Sequence, residues 1–131
     1  MQKLFHFIKY WLPPLAVMAV IFALSSRQRI QVSEVDTVNF MVFKSLHMVE
    51  YAVLFFLWFR ALYQRLGKAQ IMKAYALAIT ISILYGALDE LHQTFVPTRE
   101  GKLRDVVIDS IGILLMFEYT KHHLNKLKLF L

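Results

Sequence analysis

The chain has 131 residues, of which 58% are hydrophobic, 15% aromatic and 18% charged. Ordinary soluble domains are about 45–50% apolar and about 25% charged, so this composition excludes a disordered or low-complexity chain and argues against a water-soluble domain. The length is that of one domain, the lack of cysteine removes disulfides, Cys-based zinc sites and thiol nucleophiles, and a net charge of +6 in so apolar a chain points to an anionic membrane surface rather than to nucleic acid.

A spanning helix needs about 20 mostly apolar residues at about 1.5 Å rise each. Tyr10 to Ser26 carries no charge, Lys3 and Lys9 precede it, and Pro13 and Pro14 sit near its start. There proline does least damage, so a first span over 9–26 is expected. A cleaved signal peptide opens the same way, but further apolar stretches favour a span. The connection 27–44 follows. Ser33 with Asp36 resembles a capping box, and Val32, Val35, Val38 and Val42 recur at three- and four-residue spacing. That connection reads either as a short amphipathic helix in the interface or as an extended loop.

Spans over 45–63, 72–92 and 103–120 are expected next, each with acidic residues inside its apolar length. With four spans, most of the 15 Lys/Arg fall on the side of both termini, which places the termini in the cytoplasm. The expectation is a single domain over 1–131: an all-α membrane protein, four helices in a small antiparallel bundle, in the bacterial cytoplasmic membrane. Glu118, Lys121 and His122 read as a structural group at the inner interface. The Lys- and Leu-rich tail reads as lying on anionic lipid.

This topology gathers the polar residues at the outer end. His47, Glu50 and Tyr51 share one helix face, as do Asp89, His92 and Gln93, with Glu90 one step round. Asp105, Asp109 and Gly112 form a stripe on the last helix, where Gly112 lets a neighbouring helix come close. Ser26 lies at the end of the first helix, and Arg99, Lys102 and Arg104 lie on the loop above. Each residue alone has a bland reading: Ser25 and Ser26 as helix-end hydroxyls, Tyr51 as an interfacial aromatic, His47 as a core histidine, Arg104 with Asp105 as a surface pair. As a set, so many acids in a membrane bundle are too costly for packing alone.

At these residues the sequence resembles the VanZ-like family of small bacterial membrane proteins, over nearly the whole chain. Ser25-Ser26-Arg27-Gln28 resembles the family's serine-rich end of helix 1. Lys44, His47 and Tyr51 match K-x-x-H-x-x-x-Y, and Asp89 to Arg99 match D-E-x-H-Q-x-F-x-P-x-R. Asp105, Asp109 and Gly112 match D-x-x-x-[ND]-x-x-G. Thr98 stands where the family often has Gly, and Asp109 where Asn is common. The resemblance implies four membrane helices and, in some members, a link to resistance against the glycopeptide teicoplanin. It also implies kinship with membrane enzymes that act on phosphate-linked lipid head groups, phosphatidylserine synthases among them.

Three functions compete. The first is hydrolysis or exchange of a head group on a lipid phosphate, such as a lipid-linked cell-wall precursor. Arg99 and Arg104 would hold phosphate oxygens. His47 or His92 would act as base or nucleophile, oriented by Asp89 or Glu90. Glu50, Asp105 and Asp109 complete the candidate catalytic set, and Ser26, Tyr51, Gln93, Arg99 and Arg104 the substrate-binding set. A divalent metal on Asp89, Asp105 and Asp109 is a variant, since oxygen ligands suit hard cations, but no metal-spacing motif is present. The second is binding of a membrane lipid or a glycopeptide without chemistry. The third is an ion or proton pathway, which the apolar inner halves of the helices disfavour.

Overall fold

The computed structural model describes residues 2–28, 34–127 and 130–131. Among them every regular element is helical: α1 (Gln2–Tyr10), α2 (Leu12–Ser25), α3 (Asp36–Leu66), a 3₁₀ turn (Lys68–Gln70), α4 (Ile71–Gln93) and α5 (Leu103–Leu127). Two stretches, Asp36–Leu66 and Lys68–Gln93, are long and apolar enough to cross a membrane. A third arises if α1 and α2 are taken together across their 44° bend.

The first expected span therefore starts earlier than 9 and is broken. The break falls at Trp11, just before Pro13 and Pro14. Proline lacks a backbone N–H and clashes with the preceding turn, so the chain restarts its helix there. α5 is long enough to cross, but Asp105, Asp109, Glu118 and Lys121 punctuate it, and it does not join the strongly apolar stretches.

The connection expected over 27–44 is corrected in its second half. Residues 36–44 are neither a separate interfacial helix nor a loop; they are the first turns of α3. The N-cap is Val35, without a side-chain cap bond, not Ser33. Ser33 and Val32 lie outside the described residues. The reason is continuity: no Gly or Pro separates Asp36 from Glu50, so nothing stops the helix from growing backwards. At its other end α3 stops at Gly67, whose φ of +74° suits glycine and whose N–H reaches Tyr63 O at 2.8 Å.

α3 is the hub and touches α1, α2, α4 and α5. Beneath the polar end its aromatic face locks three helices together. Phe59 stacks on Tyr75 at 4.2 Å, and Tyr75 and Phe55 both meet Phe117 edge-on. Ala61, Ala74 and Ala78, all fully buried, let the helices approach. Gly112 does so most sharply: a Cβ there would overlap the Met48 carbonyl, the close approach its place on the stripe predicts. The exterior is apolar, with Val49, Leu84, Leu88 and Leu115 each more than half exposed, while Asp89, Glu90, Asp105 and Asp109 are buried. That inversion is what a hydrocarbon solvent selects.

Candidate functional site

The end of α2, the upper part of α3, the end of α4 and the start of α5 meet at one end of the molecule. Ser25 Oγ donates to Asp89 Oδ2 at 2.8 Å, joining α2 to α4. Gln93, one turn above Asp89, donates to Asp89 Oδ2 at 3.0 Å and to Glu90 Oε1 at 3.3 Å. Lys44 Nζ sits 2.7 Å from Asp105 Oδ2 and 3.8 Å from Glu90 Oε1, so one cation ties α3, α4 and α5. The Lys102 backbone N–H donates to Glu90 Oε2 at 3.1 Å and fixes the loop above.

Four residues of this end escape a reading of the sequence alone. Lys44 falls in the expected outer connection and is matched there only as part of a motif, yet it is the central cation. Its signal is spacing: Lys44, His47 and Tyr51 are three and four apart and share one face once the helix is extended upward. Ser25, rather than Ser26, holds Asp89. Phe40 and Phe43 come to the site with the added turns of α3.

The predicted histidine roles are redistributed. His92 Nε2 meets Ser26 Oγ at 3.0 Å on the exposed side and packs its ring against Phe22, and no contact with Asp89 or Glu90 orients it. His47 is buried, and its carboxylate neighbour is Glu50, with Oε2 3.5 Å from Nδ1. Tyr51 stacks beside His47 at 6.5 Å and is fully buried, as is Asp109.

A cavity of about 100 Å³ opens at this end. Lys44, His47, Gln93 and Asp105 form its floor side, Arg99, Glu100, Lys102 and Arg104 its rim, and Phe40 and Phe43 an apolar wall. Arg99 is aimed by the turn that precedes it. Arg99 N–H donates to Val96 O at 3.1 Å, Pro97 holds the second position, and Thr98 takes φ +68°. This is the signature of a type II turn, whose third position favours Gly. The guanidinium then donates to Arg27 O at 2.8 Å and Leu24 O at 3.2 Å, closing the C-terminal end of α2. Arg104 lies 3.3 Å from Asp105 and over the Phe40 ring.

Below the cavity both Asp109 carboxylate oxygens are buried and find no hydrogen-bond partner in the protein. Such orphans are rare in native structures. The three candidate metal ligands do not converge. Asp105 turns to Lys44 and Asp89 to Ser25. Among the described residues no group of three or more His, Cys, Asp or Glu is placed to hold a metal.

A family model described as VanZ/LLP1 matches residues 2–121. The chain belongs to the VanZ/LLP1 family. No curated protein and no solved structure matches this VanZ/LLP1 chain. The motif-bearing residues Lys44, His47, Tyr51, Asp89, Glu90, Gln93, Asp105 and Asp109 meet at one end of the molecule, with Arg99 above them. His92 stands apart on the α2 side.

Proposed function

We propose that this VanZ/LLP1 protein is a multi-pass protein of the bacterial cytoplasmic membrane. Its four helical passes run antiparallel, both termini face the cytoplasm, and its outer cup acts on phosphate-linked lipid head groups by hydrolysis or exchange. The observation that carries this reading is the split of the cup into two chemistries. A rim of Arg99, Lys102 and Arg104 suits phosphate oxygens. A floor of His47, Gln93 and the Lys44–Asp105 pair suits the polar part of a head group. An apolar wall at Phe40 and Phe43 suits the start of a lipid chain. His47 lines the cavity beside Glu50 and is the base placed to take a proton from attacking water or alcohol as the bond from phosphorus to the leaving group breaks. Family membership supports a general link to teicoplanin resistance, with a lipid-linked cell-wall precursor as the substrate class to test.

The test is turnover by purified protein on lipid-linked phosphates. Wild type is expected to release head group, and Asp105→Asn to slow it by about 10²-fold or more, the scale of one lost electrostatic or proton-transfer group. Equal slow release from both proteins would sink the catalytic reading. Stoichiometric ligand retention without product would reassign the cup to binding. The lack of native cysteine makes the topology directly measurable. Single cysteines at Gly67 and Glu100 should label from the cytoplasmic and outer sides respectively, and labelling of both from one side would refute the arrangement.

A further inference from the structure

A second polar cavity of about 530 Å³ lies at the far end of α3, where α1 meets it. Its polar wall is Lys9, Tyr10, Arg60 and Gln64, whose amide donates to Leu131 O at 2.6 Å, and Phe56, Leu57 and Phe130 form its apolar side. Arg60 Nη1 donates to Lys9 O at 3.2 Å, and its guanidinium lies 4.8 Å over the Tyr10 ring, so the head is fixed in direction. Its Nε is buried and has no hydrogen-bond partner in the protein. Among the described residues neither Lys9 nor Arg60 is within ion-pair distance of a carboxylate. Two cations, one of them held in direction and neither in an ion pair, thus line a cavity that the end of the chain also borders.

Position narrows the ligand. Arg60 is sixteen residues beyond Lys44 on the same continuous helix, or about 24 Å along the axis. That approaches the hydrocarbon thickness of about 30 Å, so if one cup faces one head-group layer, this cavity faces the other. We propose that Lys9, Tyr10, Arg60 and Gln64 form a second head-group site that takes the phosphate of an anionic phospholipid from the opposite leaflet, with an acyl chain along Phe56 and Leu57. This rests on the membrane-spanning reading above but not on any chemistry at the outer cup. A basic pocket between helices is a general means of holding anionic lipid, and the Arg60 fork gives two-point contact with phosphate that a single ammonium does not.

The experiment uses the full chain in phosphatidylcholine nanodiscs with phosphatidylglycerol added stepwise, read by native mass spectrometry and thermal stability. One retained phosphatidylglycerol and a concentration-dependent rise in Tm are expected. Arg60→Gln and, separately, Lys9→Gln should weaken retention by about tenfold, the effect of one charge-assisted contact. Lys9→Gln guards against a folding defect in the first variant, because the Lys9 side chain is exposed. Arg104→Gln, whose side chain is exposed, reports on the other cup and should leave this retention in place. Retention lost in Arg104→Gln but kept in Arg60→Gln and Lys9→Gln would overturn the inference. So would equal protection by inorganic phosphate, which would assign a free anion rather than a lipid. Outer-cup turnover that fails while this retention persists would refute the proposed function alone.

Discussion

Replacing Lys44 tests the electrostatic centre of the cup. Its Nζ is 2.7 Å from Asp105 and 3.8 Å from Glu90. At an effective dielectric of about 20 these distances give gross attractions of roughly 6 and roughly 4 kcal/mol. Desolvation of three charges cancels most of that. The side chains of Lys44 and Asp105 are only 15% and 7% exposed, so solvent screening does not erase the pair as it would at a surface. Removing the cation leaves Asp105 with only the exposed Arg104 and Glu90 with amide donors alone, and Lys44→Met should cost about 3–5 kcal/mol. Asp105→Asn should cost less, because an amide still accepts and donates. The double variant should recover part of the loss, with a coupling of about 1–3 kcal/mol. Unfolding in mixed micelles of neutral detergent and dodecyl sulfate measures all three. A Lys44→Met cost below about 1 kcal/mol, or effects that add to within about 0.5 kcal/mol, would refute a central ion pair. Arg104→Gln is the internal control: its side chain is 61% exposed, so its pair with Asp105 should contribute no more than about 1 kcal/mol.

Gly112→Ala should destabilise by about 1–3 kcal/mol or more, since the added methyl meets the Met48 carbonyl and α3 and α5 must separate; an unchanged unfolding midpoint would disprove the close approach. Thr98→Gly should stabilise by about 1 kcal/mol by removing a β-branched residue from a left-handed backbone, and a loss of stability in the same micelle titration would count against the type II turn. Ser25→Ala should cost about 1.5–3 kcal/mol because Asp89 loses a donor to a charged acceptor, whereas Ser26→Ala, on the exposed side, should cost under about 1 kcal/mol. The reverse order would refute the Ser25–Asp89 contact as the stronger of the two.

The all-helical architecture was legible because apolar runs of spanning length are a composition signal and need no partner to be recognised. The polar end was legible for a related reason: acids inside such runs are expensive, so Glu50, Asp89, Glu90, Asp105 and Asp109 stand out. The start of α3 was not legible. Asp36 to Lys44 looks like a connection because its polar residues break the apolar run, yet a helix continues through polar residues when nothing stops it. That error hid Lys44, since a residue placed in a loop has no face. The pairings were illegible too. Periodicity shows that His47 and Glu50 share a face, but only packing shows that Asp89 turns to Ser25 instead of a histidine, and that His92 sits on the α2 side against Phe22.

The rim of the cup bears on how the proposed phosphate would be held. Arg99, Lys102 and Arg104 each already have a partner. Arg99 donates to two backbone carbonyls, Lys102 pairs with Glu100, and Arg104 lies against Asp105 and Phe40. These partners do not consume the rim. A guanidinium has five N–H donors in a fixed plane, and the two bonds from Arg99 leave three. What they remove is freedom. An arginine pinned at Leu24 and Arg27 has lost most of its rotamer entropy before any ligand arrives, and the cost of ordering it does not recur on binding. The same bonds make the rim depend on the fold of α2. Asp89 holds Ser25, Arg99 holds the carbonyls one residue before it and two after, and the strained turn at Thr98 aims the guanidinium between them. The acids of the floor and the cations of the rim are therefore one mechanical unit joined through the end of α2, and damage to the floor is expected to misplace the rim even where no charge on the rim changes.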